Sequence, residues 1–540
     1  MMKFSSYIYK MLLGVVLLVS ASCTDGFEEL NRDPKNPTLT SPGVLFNGVL
    51  SKLEVTGDER YYLHHDFSFI ASQLLTQTFE ADAFSRNAYA RGVTSIWGTY
   101  FDMLKNVREI ESLLEESNLE DAVKNNRLAL LKITAAYRSF VMADHFGGFP
   151  YFKAGMGFDR NAPNYRPVYD SQESIYKSLL DDLKWAVENI DENVEAYGSQ
   201  ETLFGNDFTK WKKWANSMRL KYALRMYEKD NATASTHIKE VMDGGLPVLE
   251  EGEDVVLTLQ SVGWPDKNSW SWREHGSLRM GTNIWHKLSD TDDVDGSGIF
   301  DPRTKIWFEP NQDDEWIPLP QAYGNIREDL ETGNNPYHTR RRSDYFDRGH
   351  NFTAVNFWLV EDSEYFPEIL TLASDIYFVK AEIYARNIVS GGMSEAKKAY
   401  EAGIKASMNY WFNVADNIEN WQTFGTGNPT YAPPSMPDAT EMDAFLNHPK
   451  VMWADANALD LIYTQRWLNY MFQPWDAWSL KRRTDATPAE ELGEGGERFV
   501  STMRFPFPQD EKDNNNENWS SYANSIGGDE PSVPVWWDVN

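Results

Sequence analysis

Three tryptophans crowd one polar stretch, Gly263-Trp264-Pro265-Asp266-Lys267-Asn268-Ser269-Trp270-Ser271-Trp272-Arg273. Sugar rings present flat C–H faces rimmed by hydroxyls. An aromatic plane beside Asn, Asp or Arg is the side-chain set that recognises such rings. No single helical face can carry Trp264, Trp270 and Trp272 together. Ligand or partner contact and local packing both account for them. Trp285, Trp316, Tyr323 and Tyr337 are further aromatic candidates in the same region, and Tyr89–Trp97 forms an earlier aromatic stretch.

A second candidate site is acidic. In Ser289–Asp301, Asp293, Asp295 and Ser297 stand at alternate positions, Gly298 falls where a calcium loop turns, and Asp301 occupies its ninth position. The closing bidentate Glu is missing, with Thr304 in its place. The expectation is a solvated acidic turn, with a structural calcium site as the alternative; no other cofactor is expected. Acidic residues are so abundant that no pair stands out for glycoside hydrolysis. The chain has no Gly-rich phosphate loop, no His-x-x-x-His helix and no Gly-x-Ser-x-Gly elbow.

The one cysteine, Cys23, closes a short N-terminal pattern. Lys3 and Lys10 precede an apolar run, Met11–Val19, followed by Ser20, Ala21 and Ser22. The run is shorter than the roughly 20 residues a bilayer span needs and has the proportions of a signal peptide. A lipoprotein signal explains the thiol, which receives the lipid and becomes the first mature residue; two or more acyl chains anchor stably. Ser20 stands where many such signals carry Leu, and a chance cysteine after an ordinary signal is the competing reading. The boundaries expected are 1–22 signal peptide, 23–42 lipidated tether and 43–540 one domain, with 250–364 an irregular insert. Thr24-Asp25-Gly26-Phe27-Glu28-Glu29 resembles the acidic export signal of surface lipoproteins of the Bacteroidota type, and equally a solvated tether.

The formal charge of −30 argues against nucleic acid, whose phosphates need a basic footprint. Aromatics make up 14% of the chain, with 20 Trp, more than a core requires. Helical periodicity dominates the elements that must hold these candidates. Trp97, Phe101, Leu104, Val107 and Ile110 form one stripe, and Leu130, Ile133, Tyr137 and Phe140 another. Asp170 with Glu173 marks a helix start ahead of Ile175, Leu179, Leu183 and Ala186. Trp211, Ala215, Met218 and Tyr222 follow, then Ile369, Leu372, Ile376, Val379 and Ile383, then Ala399, Ile404 and Met408. Asn31–Pro42 reads as an extended tether. Between Leu249 and Tyr365 the stripes vanish, apart from a strand-like Val255–Leu259, and such a long irregular insert is usually functional. Trp536-Trp537 near the end suggests that the tail docks.

Several stretches resemble the SusD/RagB-like nutrient-binding outer-membrane lipoproteins. They are the tether Asn31-Arg32-Asp33-Pro34-Lys35-Asn36-Pro37-Thr38 and the turn Asp144–Tyr151, with Gly148 where the family has Asp. They continue with Lys210–Ser217, Asp301-Pro302-Arg303 and Ala373–Ala385, in which Ser374 and Asp375 replace Glu and its neighbour. Gln465-Arg466-Trp467, Asp476-Ala477-Trp478, Arg482-Arg483-Thr484 and Val535–Asp538 complete the order. The resemblance spans nearly the whole mature chain. It implies a mainly α fold, a scaffold of tetratricopeptide-like helix pairs with a loop-rich, Trp-rich second half. It implies a non-enzymatic lid on a SusC-like TonB-dependent transporter barrel, lipid-anchored and exposed on the outer membrane, capturing oligomeric nutrients. The Trp-rich insert favours a glycan. Oligopeptide capture of the RagB type is the alternative within the family, and a surface glycoside hydrolase the alternative outside it. Trp211 and Trp467 lie on helical stripes, so core packing is expected of them. Arg482-Arg483 reads either as partners for carboxylates at a packed helix end or as a solvated basic pair.

Overall fold

The computed structural model describes residues 41–77, 86–157, 163–257, 278–311, 314–319, 352–356, 359, 367–417, 434–485 and 497–540. Cys23, Trp264, Trp270, Trp272, Tyr323 and Tyr337 lie outside them.

The fold is mainly helical, as the resemblance implies. The first helix, α1 (Pro42–Leu50), begins inside what the sequence suggests is tether: Ser41 caps it and proline occupies its first turn, where no N–H is needed. Helix α2 is Arg86–Glu116, α3 Asp121–Phe146 and α4 Gln172–Asn189. Helix α3 stops at Gly147, whose φ of +78° suits glycine. At Gly148 a side chain would stand 2.2 Å from the Asp170 carbonyl, so the Gly147-Gly148 turn requires its second glycine too. The cap of α4 is Ser171, accepting from Ser174 N at 3.1 Å. Asp170 instead accepts from the amides of Tyr151 and Phe152, each at 2.9 Å, which closes the α3–α4 connection.

Helices α5 (Phe208–Arg225) and α6 (Asn231–Met242) start at Asp207 and Asp230, each accepting an amide three residues on. A short α7 (Thr282–Leu288) lies in the irregular region, before α8 (Ala373–Ala385), α9 (Gly392–Asp416), α10 (Ala439–Leu446), α11 (Ala458–Asn469), α12 (Pro474–Thr484) and α13 (Asn516–Ser525). Consecutive helices pack as pairs, α3 on α4, α5 on α6, α8 on α9 and α11 on α12. In the α8–α9 pair Gly403 lies against the ring of Phe378. One continuous apolar core runs from Phe46 to Trp537, with Trp211, Trp214, Trp411, Trp467 and Trp478 buried in it.

Ile369 and Leu372 are not helical. Residues Glu368–Thr371 form a strand, and α8 begins at Ala373. Their apolar run is buried on both faces, which satisfies a strand as well as a helical stripe. Six short strands are described: β1 Leu75–Gln77, β2 Val255–Leu257, β3 Leu278–Met280, β4 Phe308–Glu309, β5 Ala354–Val355 and β6 Glu368–Thr371. They form a sheet of order β1-β3-β5-β4 and a β2–β6 pair. Both are antiparallel, with Gln77 opposite Leu278 and Leu257 opposite Glu368.

Candidate functional site

Residues Glu59–Ser68 form a π-helix, a geometry whose rarity draws attention to its surroundings. Its polar side chains are tied inward. Glu59 meets Arg138 of α3 at 3.2 Å, Arg60 pairs with Glu368 of β6, and His64 stacks on Trp475 at 4.7 Å. Tyr61 and Tyr62 are half-exposed on its outer side. Helix α2 approaches there because residue 92 is glycine; a Cβ would stand 2.8 Å from Leu63 Cγ. The next residue back, Arg91, therefore lies over Tyr62, 4.9 Å from its ring centre. Arg91 Nη1 donates to Tyr62 Oη at 2.7 Å, and Nη2 to Asp58 Oδ1 at 3.0 Å. Ser95 and Thr56 share a hydrogen bond of 2.6 Å beside them. Asp58, Ala90, Arg91, Thr94 and Ser95 line an open groove of about 700 Å³.

The chain leaves for residues 258–277, and returns from them, next to this π-helix. Leu257 faces Glu368, the partner of Arg60. Leu278 faces Gln77, whose side chain donates to the His65 carbonyl at 3.1 Å. Both attachment points of the stretch carrying Trp264, Trp270 and Trp272 thus abut the segment that presents Tyr62.

Trp285 and Trp316 lie elsewhere. Trp285 is fully buried on α7, its indole N–H donating to Asp292 Oδ1 at 3.0 Å. Trp316 is buried too, its ring so close to Gly296 that a Cβ there would stand 2.6 Å from it. Both pack the acidic loop and offer no open stacking face. Within that loop Asp293 accepts from Thr291 Oγ1 at 2.8 Å and Asp295 from Ser297 N at 2.9 Å. Positive φ falls on Gly296, not Gly298, where instead the Thr291 hydroxyl leaves no room for a side chain. Asp301 turns away into a buried pair with Arg303 at 2.7 Å, and Arg303 continues to Ser407 of α9 and Gln465 of α11. The Asp-Pro-Arg motif pins the irregular region to the helices. Among the described residues no three His, Cys, Asp or Glu side chains group to hold a metal ion.

A buried chain of ion pairs runs through the helices. Asp144 meets Arg225, which reaches Asp476 at 2.7 Å; Lys221 joins Asp476 at 2.8 Å to Asp375 at 3.1 Å. Arg466 links Asp375 at 2.7 Å to Glu382 at 3.4 Å, and Arg483 meets both Glu382 oxygens at 2.7 Å. Burial alone would raise the Glu382 carboxyl, but Arg483, Arg386 and Arg466 pull it down to about 2. Asp375 is likewise held well below the carboxylate range, burial being outweighed by Arg466 and Lys221. Every charge here is matched within the fold, so the chain of pairs fastens helices rather than performing acid–base chemistry. The tail joins it: Trp537 N–H donates to Asp144 Oδ1 at 2.9 Å, and Trp536 N to Gln172 Oε1 at 2.6 Å.

The sequence singles out neither Asp58 nor Tyr62, and reaches Arg91 only as part of the Tyr89–Trp97 stretch. The Tyr61-Tyr62 doublet and Gly92 were the available signals, but only the meeting of α2 with the π-helix makes them a site.

The SusD-like_2 family, described as starch-binding and associating with the outer membrane, matches residues 34–508. No match is found among curated proteins. Among solved structures, a chitin-binding protein superposes with a TM-score of 0.71 at 20% identity, covering 93% of this chain and 100% of its own. A SusD homolog from Parabacteroides distasonis gives 0.71 at 20%, covering 93% and 98%. A chitin-binding SusD homolog from Flavobacterium johnsoniae gives 0.66 at 20%, covering 92% and 99%. Taken with the helix pairs, the match over most of the length is decisive: this chain belongs to the SusD-like family of outer-membrane-associated binding proteins and is not an enzyme.

Proposed function

We propose that the protein captures glycans at the cell surface and delivers them to a SusC-like TonB-dependent transporter. The observation that carries this reading is that both attachment points of the Trp-rich stretch touch the π-helix, at Arg60 through Glu368 and at His65 through Gln77, and that the same helix presents Tyr62 to Arg91 and Asp58. Aromatic planes and a polar rim are the two halves of a sugar site. Two of the structural neighbours carry chitin-binding in their names, which supports the same class of ligand. In this reading Cys23 holds the protein to the outer membrane by its lipid, and Trp264, Trp270 and Trp272 stack on the ligand.

Native gels containing single polysaccharides, with retention measured for the wild type and for Trp264→Ala, Trp270→Ala and Trp272→Ala, test the proposal. A stacked ring contributes about 0.5–1.5 kcal/mol beyond its area, so each change should weaken retention up to about tenfold. The melting midpoint should hold, whereas a packing Trp lost from a core costs about 3–5 kcal/mol. Three early-melting variants, or three that bind like the wild type, would remove these residues from the site. Retention by immobilised oligopeptides and by no glycan would point to peptide capture instead.

A further inference from the structure

We infer that the groove selects neutral glycans through a two-handed clamp, Arg91 and Asp58, on a pair of adjacent sugar hydroxyls. The inference rests on the glycan-binding reading and names the class of glycan. The Arg91 guanidinium donates and the Asp58 carboxylate accepts, and they stand 3.0 Å apart at the edge of an open groove. Hydroxyls on neighbouring ring carbons are separated by about one hydrogen-bond length. One can accept from the guanidinium while the other donates to the carboxylate. Both hands are accessible, Arg91 being 59% and Asp58 35% exposed at the side chain. Arg91 is also held before a ligand arrives, by the Tyr62 hydroxyl and ring, and Gly92 sets its approach. A preformed pair loses little freedom on binding.

The same geometry disfavours acidic sugars. A uronate or sulfate drawn to Arg91 would lie against the Asp58 carboxylate, on a chain whose formal charge is −30. Arg91 also covers a face of Tyr62, so this half of the site works by hydrogen bonds and leaves stacking to other aromatics.

Affinity gels loaded with neutral polysaccharides (starch, laminarin, xylan, glycol chitin) and with acidic ones (polygalacturonate, alginate) provide the test. The wild type should be retained by at least one neutral polymer and by neither acidic one. Retention should be nearly insensitive to salt between about 0.05 and 0.5 M, since no ligand charge is screened. Arg91→Ala and Asp58→Ala should each weaken it about tenfold with an unchanged melting midpoint, and Asp58→Ala should let polygalacturonate begin to bind. Wild-type retention by an acidic polymer that falls with salt would overturn the inference. So would neutral retention unchanged in both clamp variants but lost in the tryptophan variants; that result leaves the glycan reading standing. Retention by no polysaccharide at all would overturn both.

Discussion

Arg482 and Arg483 are neighbours with opposite surroundings. Arg483 lies on the Glu382 carboxylate, while Arg482 donates to the carbonyls of Asp144 and Met503 and lies between Trp478 and Trp537, 3.6 and 4.9 Å from their ring centres. One of the two alternatives read from the sequence holds for Arg483 and neither for Arg482, because the deciding groups lie 101 and 338 residues away. Glu382 is the residue on which most depends, since Arg386, Arg466 and Arg483 all face it. Glu382→Gln takes a counter-charge from three guanidiniums, of which Arg466 keeps Asp375 and Arg386 keeps Glu228, and should destabilise by about 3 kcal/mol, more than Arg483→Ala, which leaves Glu382 two cations. The folded value of Glu382, about 2, lies below its ordinary 4.5. The stability it contributes is therefore complete above pH 4.5 and lost as pH falls through 2. Burial holds His145 neutral in the same way, its value lowered from 6.5 to about 4, so that loss begins below pH 6.5. Melting midpoints should fall as pH drops below about 4.5, and those of the Glu382→Gln protein should fall less steeply over that range. An equal slope in both proteins over that acidic range would contradict the assignment.

At the scale of elements, the α8–α9 pair shows how one glycine sets an approach. A Cβ on Gly403 would stand 2.8–3.0 Å from three ring atoms of the buried Phe378. Overpacking costs about 1–3 kcal/mol, whereas alanine in a helix gains only about 0.5–1 over glycine, so the clash wins. Gly403→Ala should lower the melting midpoint, and Gly403→Ala with Phe378→Leu should recover part of it. A midpoint raised by Gly403→Ala alone would show the helices free to part. The long helices were legible because their apolar stripes are long and buried on one side; Trp97 to Ile110 falls on α2 as spaced. The strand at Ile369 was not, because a short run buried on both faces carries no period. Nor was the π-helix: its distinguishing feature is a hydrogen-bond offset held by partners on α3, β6 and α12. The groove inherits that opacity, since Arg91 and Tyr62 meet only through it.

For the whole molecule, the family and the helical scaffold were legible from the order of small motifs, and the structure explains why. Asp144, Asp301-Pro302-Arg303, Arg466, Asp476 and Arg483 belong to buried pairs whose loss would unfasten the helices. Anchoring also acts on the whole. Cys23→Ser should release the protein from outer-membrane pellets and abolish labelling by a palmitate analogue, since a single weak attachment does not hold. Pelleting and labelling equal to the wild type would rule out the lipid. The docked tail, finally, has a consequence in time. Trp537 reaches back 393 residues to Asp144, and Trp467 reaches back 395 to Ser72. Closing such loops is entropically slow, and contacts of this range form late. A ribosome must therefore finish nearly the whole chain before the ion-pair hub can close.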